Sequence, residues 1–136
     1  MTLDEIYETF IWCLDETEDE YNFRIADAFN EAKKYKYLHP FFQPMIPGKS
    51  VWEPCARVIA SKSDEELKQK PYLNAMFQWL QDINWPGATI IYDRLLQMPF
   101  SEIEESFIHI RRFAEEEKDM LWLYALDEFK KEVDSK

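Results

Sequence analysis

The chain has 136 residues and a mass of 16.5 kDa, room for one domain around one core. Apolar residues make up 46% and aromatic residues 16% of it, which excludes intrinsic disorder, and two glycines are too few for Gly-rich phosphate loops or a turn-dense β fold. Sixteen Lys and Arg against 27 Asp and Glu leave a net charge of −11, the wrong sign for a protein that neutralises a phosphate backbone.

In chain order, the first helix is expected on Leu3, Ile6, Tyr7, Phe10 and Leu14, with Thr2 and Glu5 as a capping box. A second is expected from about Glu18 to Tyr37, on Tyr21, Ile25, Ala28, Phe29, Ala32 and Tyr35. Pro40, Pro44 and Pro47 keep Leu38 to Gly48 out of helix and make it the main loop. Ser50 with Glu53 starts a third helix, to about Ser61, that takes Pro54 in its first turn. Ser63 with Glu66 starts a short fourth piece that Pro71 ends or kinks. Leu73, Met76, Phe77, Leu80 and Ile83 carry the next helix, and Pro86 opens another that runs to about Met98. Ser101 with Glu104 opens one to about Glu117, and Asp119 caps the last. No segment alternates with period two for long, so the chain reads as all-α with seven or eight helices.

A repeat says how these helices stack. The pattern Trp-x-x-small-x-x-x-large apolar occurs as Trp52, Cys55, Ile59, as Trp85, Ala88, Tyr92, and as Trp122, Ala125, Phe129. The tryptophans are separated by 33 and then 37 residues, the period of α-solenoid repeats. Between them, Leu73, Phe77, Leu80 matches Ile103, Phe107, Ile110 at an offset of 30. The expected architecture is a short right-handed α-α superhelix of stacked antiparallel helix pairs over residues 50–136. An irregular N-terminal pair and the proline-rich loop occupy residues 1–49 of the same domain.

The segment Trp79-Leu80-Gln81-Asp82-Ile83-Asn84-Trp85-Pro86-Gly87-Ala88 is the most distinctive in the chain. It resembles the W-L-Q-D-x-N-W-P-x-A signature of a bacterial family of short, HEAT-like helical proteins of unknown function. That family continues with an aliphatic helix, an acidic helix and a closing helix introduced by D-x-x-W, where this chain has Asp119-Met120-Leu121-Trp122. The likeness spans roughly residues 62–136. It implies a cytoplasmic, non-enzymatic partner protein, in some members an immunity protein that neutralises a toxin. Read as structure, Asp82 and Asp119 cap the helices that follow them, Trp79 and Trp85 are core, and Asn84 takes a left-handed turn position. Read as function, Gln81, Asp82 and Asn84 form a polar cluster on a loop ridge that grips a ligand.

No constellation announces catalysis. His39 and His109 share no motif with a cysteine, and neither G-x-S-x-G nor H-E-x-x-H occurs. No metal, cofactor or catalytic residue is therefore assigned. Cys13 and Cys55, 42 residues apart, are expected as reduced core thiols. The acidic opening, Met1 to Glu5, is unlike a secretory leader, and no stretch is long and apolar enough for a membrane span. Cytoplasm is the expected compartment.

Two surfaces remain as partner-binding candidates. The acids from Asp15 to Glu20, among them Glu18, Asp19 and Glu20, and Glu115 to Glu117 are expected at helix–helix turns, either as solvated turns or as an edge that steers a basic partner. The apolar loop with Phe41 and Phe42 either covers the core or forms a contact patch. The leading expectation is a protein-interaction domain, monomeric or homodimeric, binding neither nucleic acid nor membrane. Its sharper form is an immunity-type inhibitor of a basic toxin. The alternatives are an enzyme or small-molecule binder with a pocket near Trp52, Trp85 and His109, and a homo-oligomer paired through the aromatic loop.

Overall fold

A computed structural model describes residues 1–136 and contains helices and loops with no strand. The fold is all-α, with eight α-helices: α1 (Leu3–Phe10), α2 (Glu18–Ala32), α3 (Trp52–Ala60), α4 (Asp64–Leu67), α5 (Lys70–Gln78), α6 (Ala88–Leu96), α7 (Phe100–Glu116) and α8 (Met120–Asp134). Short 3₁₀ turns lie at His39–Phe41, Lys49–Val51 and Trp79–Gln81.

Local chemistry accounts for most helix starts. Reciprocal capping boxes open α1 at Thr2 and Glu5, α2 at Thr17 and Glu20, and α4 at Ser63 and Glu66. Asp119 accepts the Trp122 amide at 3.1 Å and caps α8. Other expected starts move. Ser50 lies in a 3₁₀ turn and α3 begins after Val51 with no side-chain cap. Pro71 begins α5 instead of ending α4, because its fixed φ and missing N–H suit a first turn. Pro99, not Ser101, is the N-cap of α7. Helix α2 stops at Ala32, five residues short of Tyr37, and α5 tightens into the 3₁₀ turn at Trp79, which leaves Ile83 exposed outside it.

The helices form two layers. In one, α3 packs on α6 and α6 on α8; in the other, α5 packs on α7. Contacts of α5 with α6 and of α7 with α8 tie the layers together. The three tryptophan-led helices thus stand in series in one layer, as stacked pairs require. At the α1–α2 end, α2 packs on α3 and α1 on the turn at Lys49–Val51.

The repeat holds at its small residues and loosens at its tryptophans. Cys55, Ala88 and Ala125 are all buried, where neighbouring helices approach closely. Trp52 and Trp122 lie in the first turns of their helices, but Pro86 and Gly87 displace Trp85 into the turn before α6, half-buried. Trp85 meets Trp52 edge to face at 5.6 Å, so it is not the core residue expected. Trp122 lies elsewhere, buried, its indole N–H donating to the Phe77 carbonyl at 3.0 Å and fixing α8 on α5. Trp79 is fully buried and donates to the Pro86 carbonyl at 3.0 Å.

The proline-rich loop folds back on the core. Leu38 and Phe41 are completely buried, Phe42 stacks on Tyr72 with ring centroids 5.6 Å apart, and the Tyr7 hydroxyl donates to the Pro40 carbonyl at 2.5 Å. The tip, Met45 to Pro47, and His39 stand free. Phe41 is therefore not a contact residue, and Phe42 presents only part of its ring. No helix is long and apolar enough to cross a membrane.

Candidate functional site

The segment from Trp79 to Asn84 divides its residues between inside and outside. Trp79 and Leu80 are buried, which turns the chain so that Gln81 to Asn84 face outward. Asp82 does not cap α6. Its Oδ1 accepts the Asn84 amide at 2.9 Å, and its carbonyl accepts the Trp85 amide at 3.0 Å, an Asx turn inside a β-turn. Asn84 is not left-handed; that conformation falls to Gly87, the N-cap of α6, at φ 84°.

This turn borders a groove of about 590 Å³ between α6 and α8. Gln81, Asp82, Ile83 and Asn84 of the turn are part of its lining. Thr89, Tyr92 and Asp93 line one wall, at the i, i+3, i+4 spacing of a single face of α6. Leu121, Tyr124, Ala125 and Glu128 line the other, again on one face of α8. Leu121 is 73% and Tyr124 68% exposed. Three carboxylates lie in the lining, from Asp82, Asp93 and Glu128, with no Lys, Arg or His among its eleven residues.

The charges in the groove are largely uncommitted. Neither Asp82 nor Asp93 takes part in an ion pair, and Glu128 meets only the exposed Lys131 at 3.2 Å. The Tyr92 hydroxyl donates to Glu132 at 2.9 Å. Burial, and then that carboxylate, push its phenol well above the usual range.

Gln81, Asp82 and Asn84 therefore come together in one groove, whereas Glu18, Asp19 and Glu20 do not line it. Those three form the first turn of α2, where the helix dipole favours negative charge and Glu20 completes a capping box. They therefore belong to a helix start and not to the helix–helix turn expected. The neighbouring Glu16 pairs with Arg24 at 2.7 Å. Glu115 and Glu116 do sit at the C-terminal end of α7, and Glu115 is held by Arg111 at 3.0 Å.

Tyr92, Leu121 and Tyr124 were not anticipated as groove residues. A signal for the last two was available, because Trp122, Ala125, Leu126 and Phe129 already supply α8 with its buried face. Leu121 and Tyr124 are apolar residues in excess of it.

None of the four main cavities is lined by Trp52 or Trp85, so the pocket expected near them and His109 is not among these. His109 lies on α7 beside a separate polar hollow of about 190 Å³, lined by Lys70, Asn74, Glu105 and Ser106. Lys70 and Glu105 pair across it at 2.6 Å, and no hydrogen bond joins Ser106 to His109. His39 is exposed and stacks on Tyr37. Cys55 is buried, but Cys13 is exposed and is not a core thiol.

Fold and groove together define a small all-helical domain of stacked helix pairs with an open, acid-lined surface cleft. Residues 51–134 match the family described as Domain of unknown function (DUF5071); the match covers more than half of the chain, and the chain belongs to that family. It begins at Val51, so it takes in all of α3, and it includes every residue of the groove. No curated protein and no solved structure matches the chain.

Proposed function

We propose that this chain is a non-enzymatic protein-interaction domain and that the groove between α6 and α8 is its docking surface. The supporting observation is the pairing of Leu121 and Tyr124, two large apolar side chains left mostly exposed, with a lining whose only formal charges are negative. Enclosed small-molecule sites bury most of their ligand. A cleft whose walls remain this exposed suits a segment of a larger molecule, with an aromatic and an aliphatic anchor at the centre and charge around them.

In its sharper form the proposal is an immunity-type inhibitor, cytoplasmic, that neutralises a basic toxin. This form draws on the resemblance of residues 79–88 to a family with such members and on the net charge of −11, which speeds encounter with a basic protein. The exposed acids Glu18, Asp19 and Glu20 add to that field without belonging to the groove.

The test is site-specific photo-cross-linking in cells that naturally make the protein. Benzoyl-phenylalanine replacing Leu121 is expected to give a discrete adduct with a basic protein, and the same group replacing the exposed Glu8 on α1 none. No adduct from position 121, or an adduct only with the chain itself, overturns the proposal.

A further inference from the structure

We infer that the groove between α6 and α8 takes an arginine-bearing segment of the partner protein, its guanidinium laid on the Tyr124 ring within reach of the rim carboxylates and its aliphatic neighbour seated on Ile83 and Leu121. The inference rests on the reading of this groove as a docking surface and names the chemistry that fits it.

Charge complementarity sets the sign of the occupant. Asp82 keeps Oδ2 free after its Oδ1 is used inside the turn. Asp93 has no hydrogen-bonded or ionic partner in the chain, and Glu128 is engaged on one oxygen only. A cation entering the groove meets these acids and no competing cation in the lining.

The rings select the kind of cation. Tyr124 and Glu128 lie four residues apart on α8 and present their side chains as neighbours on one face. A planar guanidinium can lie on the tyrosine ring while its edge N–H groups bond a carboxylate. An ammonium is a compact, strongly hydrated charge and does the two together less well. The aliphatic half follows from Leu121, 73% exposed, and Ile83, 40% exposed. Tyrosine and arginine are also the residues most enriched at the energetic centres of interfaces.

The probe is N-acetyl-Leu-Arg-Leu-Arg-amide, titrated into ¹⁵N-labelled protein at low salt and followed by amide chemical shifts. Its control carries citrulline, a neutral isostere, in place of both arginines. The arginine peptide is expected to shift amides of residues 82–84, 89–93 and 121–128, and the citrulline peptide to bind at least about fivefold more weakly. Tyr124→Ala, and separately the pair Asp82→Asn with Glu128→Gln, are each expected to weaken the arginine peptide by about fivefold or more. The asparagine amide oxygen retains the acceptor for the Asn84 N–H, and unchanged shifts elsewhere verify the fold of each variant.

Equal binding of the citrulline peptide, shifts centred on the first turn of α2, or no binding overturns the inference. So does a dimer by sedimentation that Tyr124→Ala dissolves, which would make a second copy the occupant. If the peptide fails while benzoyl-phenylalanine at position 121 still traps a basic protein, the arginine assignment falls and the docking reading stands. Failure of both removes both.

Discussion

Gly87 packs against Ala56 so closely that a Cβ added at position 87 would lie 2.6 Å from the Ala56 Cβ, 3.0 Å from the Trp52 carbonyl oxygen and 3.2 Å from a ring carbon of Trp79. Gly87 also has a φ of 84°, where a Cβ is unfavourable whatever the space. The start of α6 can therefore rest on α3 only with glycine here, and the Trp79 indole N–H reaches the neighbouring Pro86 carbonyl as a consequence. Gly87→Ala is expected to lower stability by roughly 2–4 kcal/mol, read as a reduced urea midpoint at unchanged slope. Adding Ala56→Gly should recover part of the loss and not all. It removes the tightest contact and leaves the backbone strain and the approach to the Trp52 carbonyl.

Arg94 joins three elements from a nearly buried position, 8% exposed. Its guanidinium donates to the Ala60 carbonyl at 3.1 Å, the Lys62 carbonyl at 2.8 Å and the Asp64 carboxylate at 2.6 Å. It thus satisfies carbonyls left unpaired at the end of α3 and ties α6 to the start of α4. Arg94→Met keeps much of the apolar stem and removes all three bonds, so a loss of about 2–4 kcal/mol is expected in denaturant melts. Arg94→Lys should cost nearly as much, since one ammonium cannot reproduce the fork. Full stability of the lysine variant would show that the fork geometry contributes nothing.

These two contacts mark what the sequence could and could not disclose. Helix periodicity and three caps, at Thr2, Ser63 and Asp119, concern residues within four positions of each other, and local pattern is enough to read them. The stack was legible through Cys55, Ala88 and Ala125 because a small residue at a fixed offset from a tryptophan has a packing reason of its own. Position 85 misled because Pro86-Gly87 inserts a turn, and nothing in the spacing records where α6 begins. Part of the groove was visible as Gln81, Asp82 and Asn84, which lie within four consecutive positions. The part that was not, Tyr92 with Leu121 and Tyr124, lies on helices brought together only by the packing of α6 on α8. The position of Arg94 likewise depends on where Ala60 and Asp64 come to rest, more than 29 residues away along the chain.

Two phenols contribute to the alkaline limit of the fold. The Tyr21 hydroxyl donates to the Phe10 carbonyl at 2.5 Å and the Tyr7 hydroxyl to Pro40, joining α1 to α2 and to the loop. Burial pushes each phenol from 10 up to about 12. The folded state favours the neutral form, so this stabilisation is fully present below the unfolded-state value near 10 and is lost as pH rises towards about 12. Urea midpoints are expected to begin falling above about pH 9, where the buried Cys55 thiol adds its own loss, and to fall faster above about pH 10, with phenolate absorbance rising in step. Tyr21→Phe should start lower and decline less steeply. An unchanged slope in that variant would place the alkaline loss elsewhere.

The two thiols report on the exposed loop and the core separately. Cys13 is exposed after the end of α1, whereas Cys55 is buried on α3, and burial pushes its thiol up to about 12. Ellman's reagent is expected to titrate one thiol per native chain at once and the second only on opening of the fold. The slow phase then reads the population of open states. Ala56, the residue beside Cys55, is the one that Gly87 touches, so Gly87→Ala should accelerate the slow phase by the factor its lost stability dictates, roughly 150-fold for about 3 kcal/mol. Acceleration well below the equilibrium loss would mean that Cys55 becomes reactive through a local opening that leaves the α3–α6 contact intact.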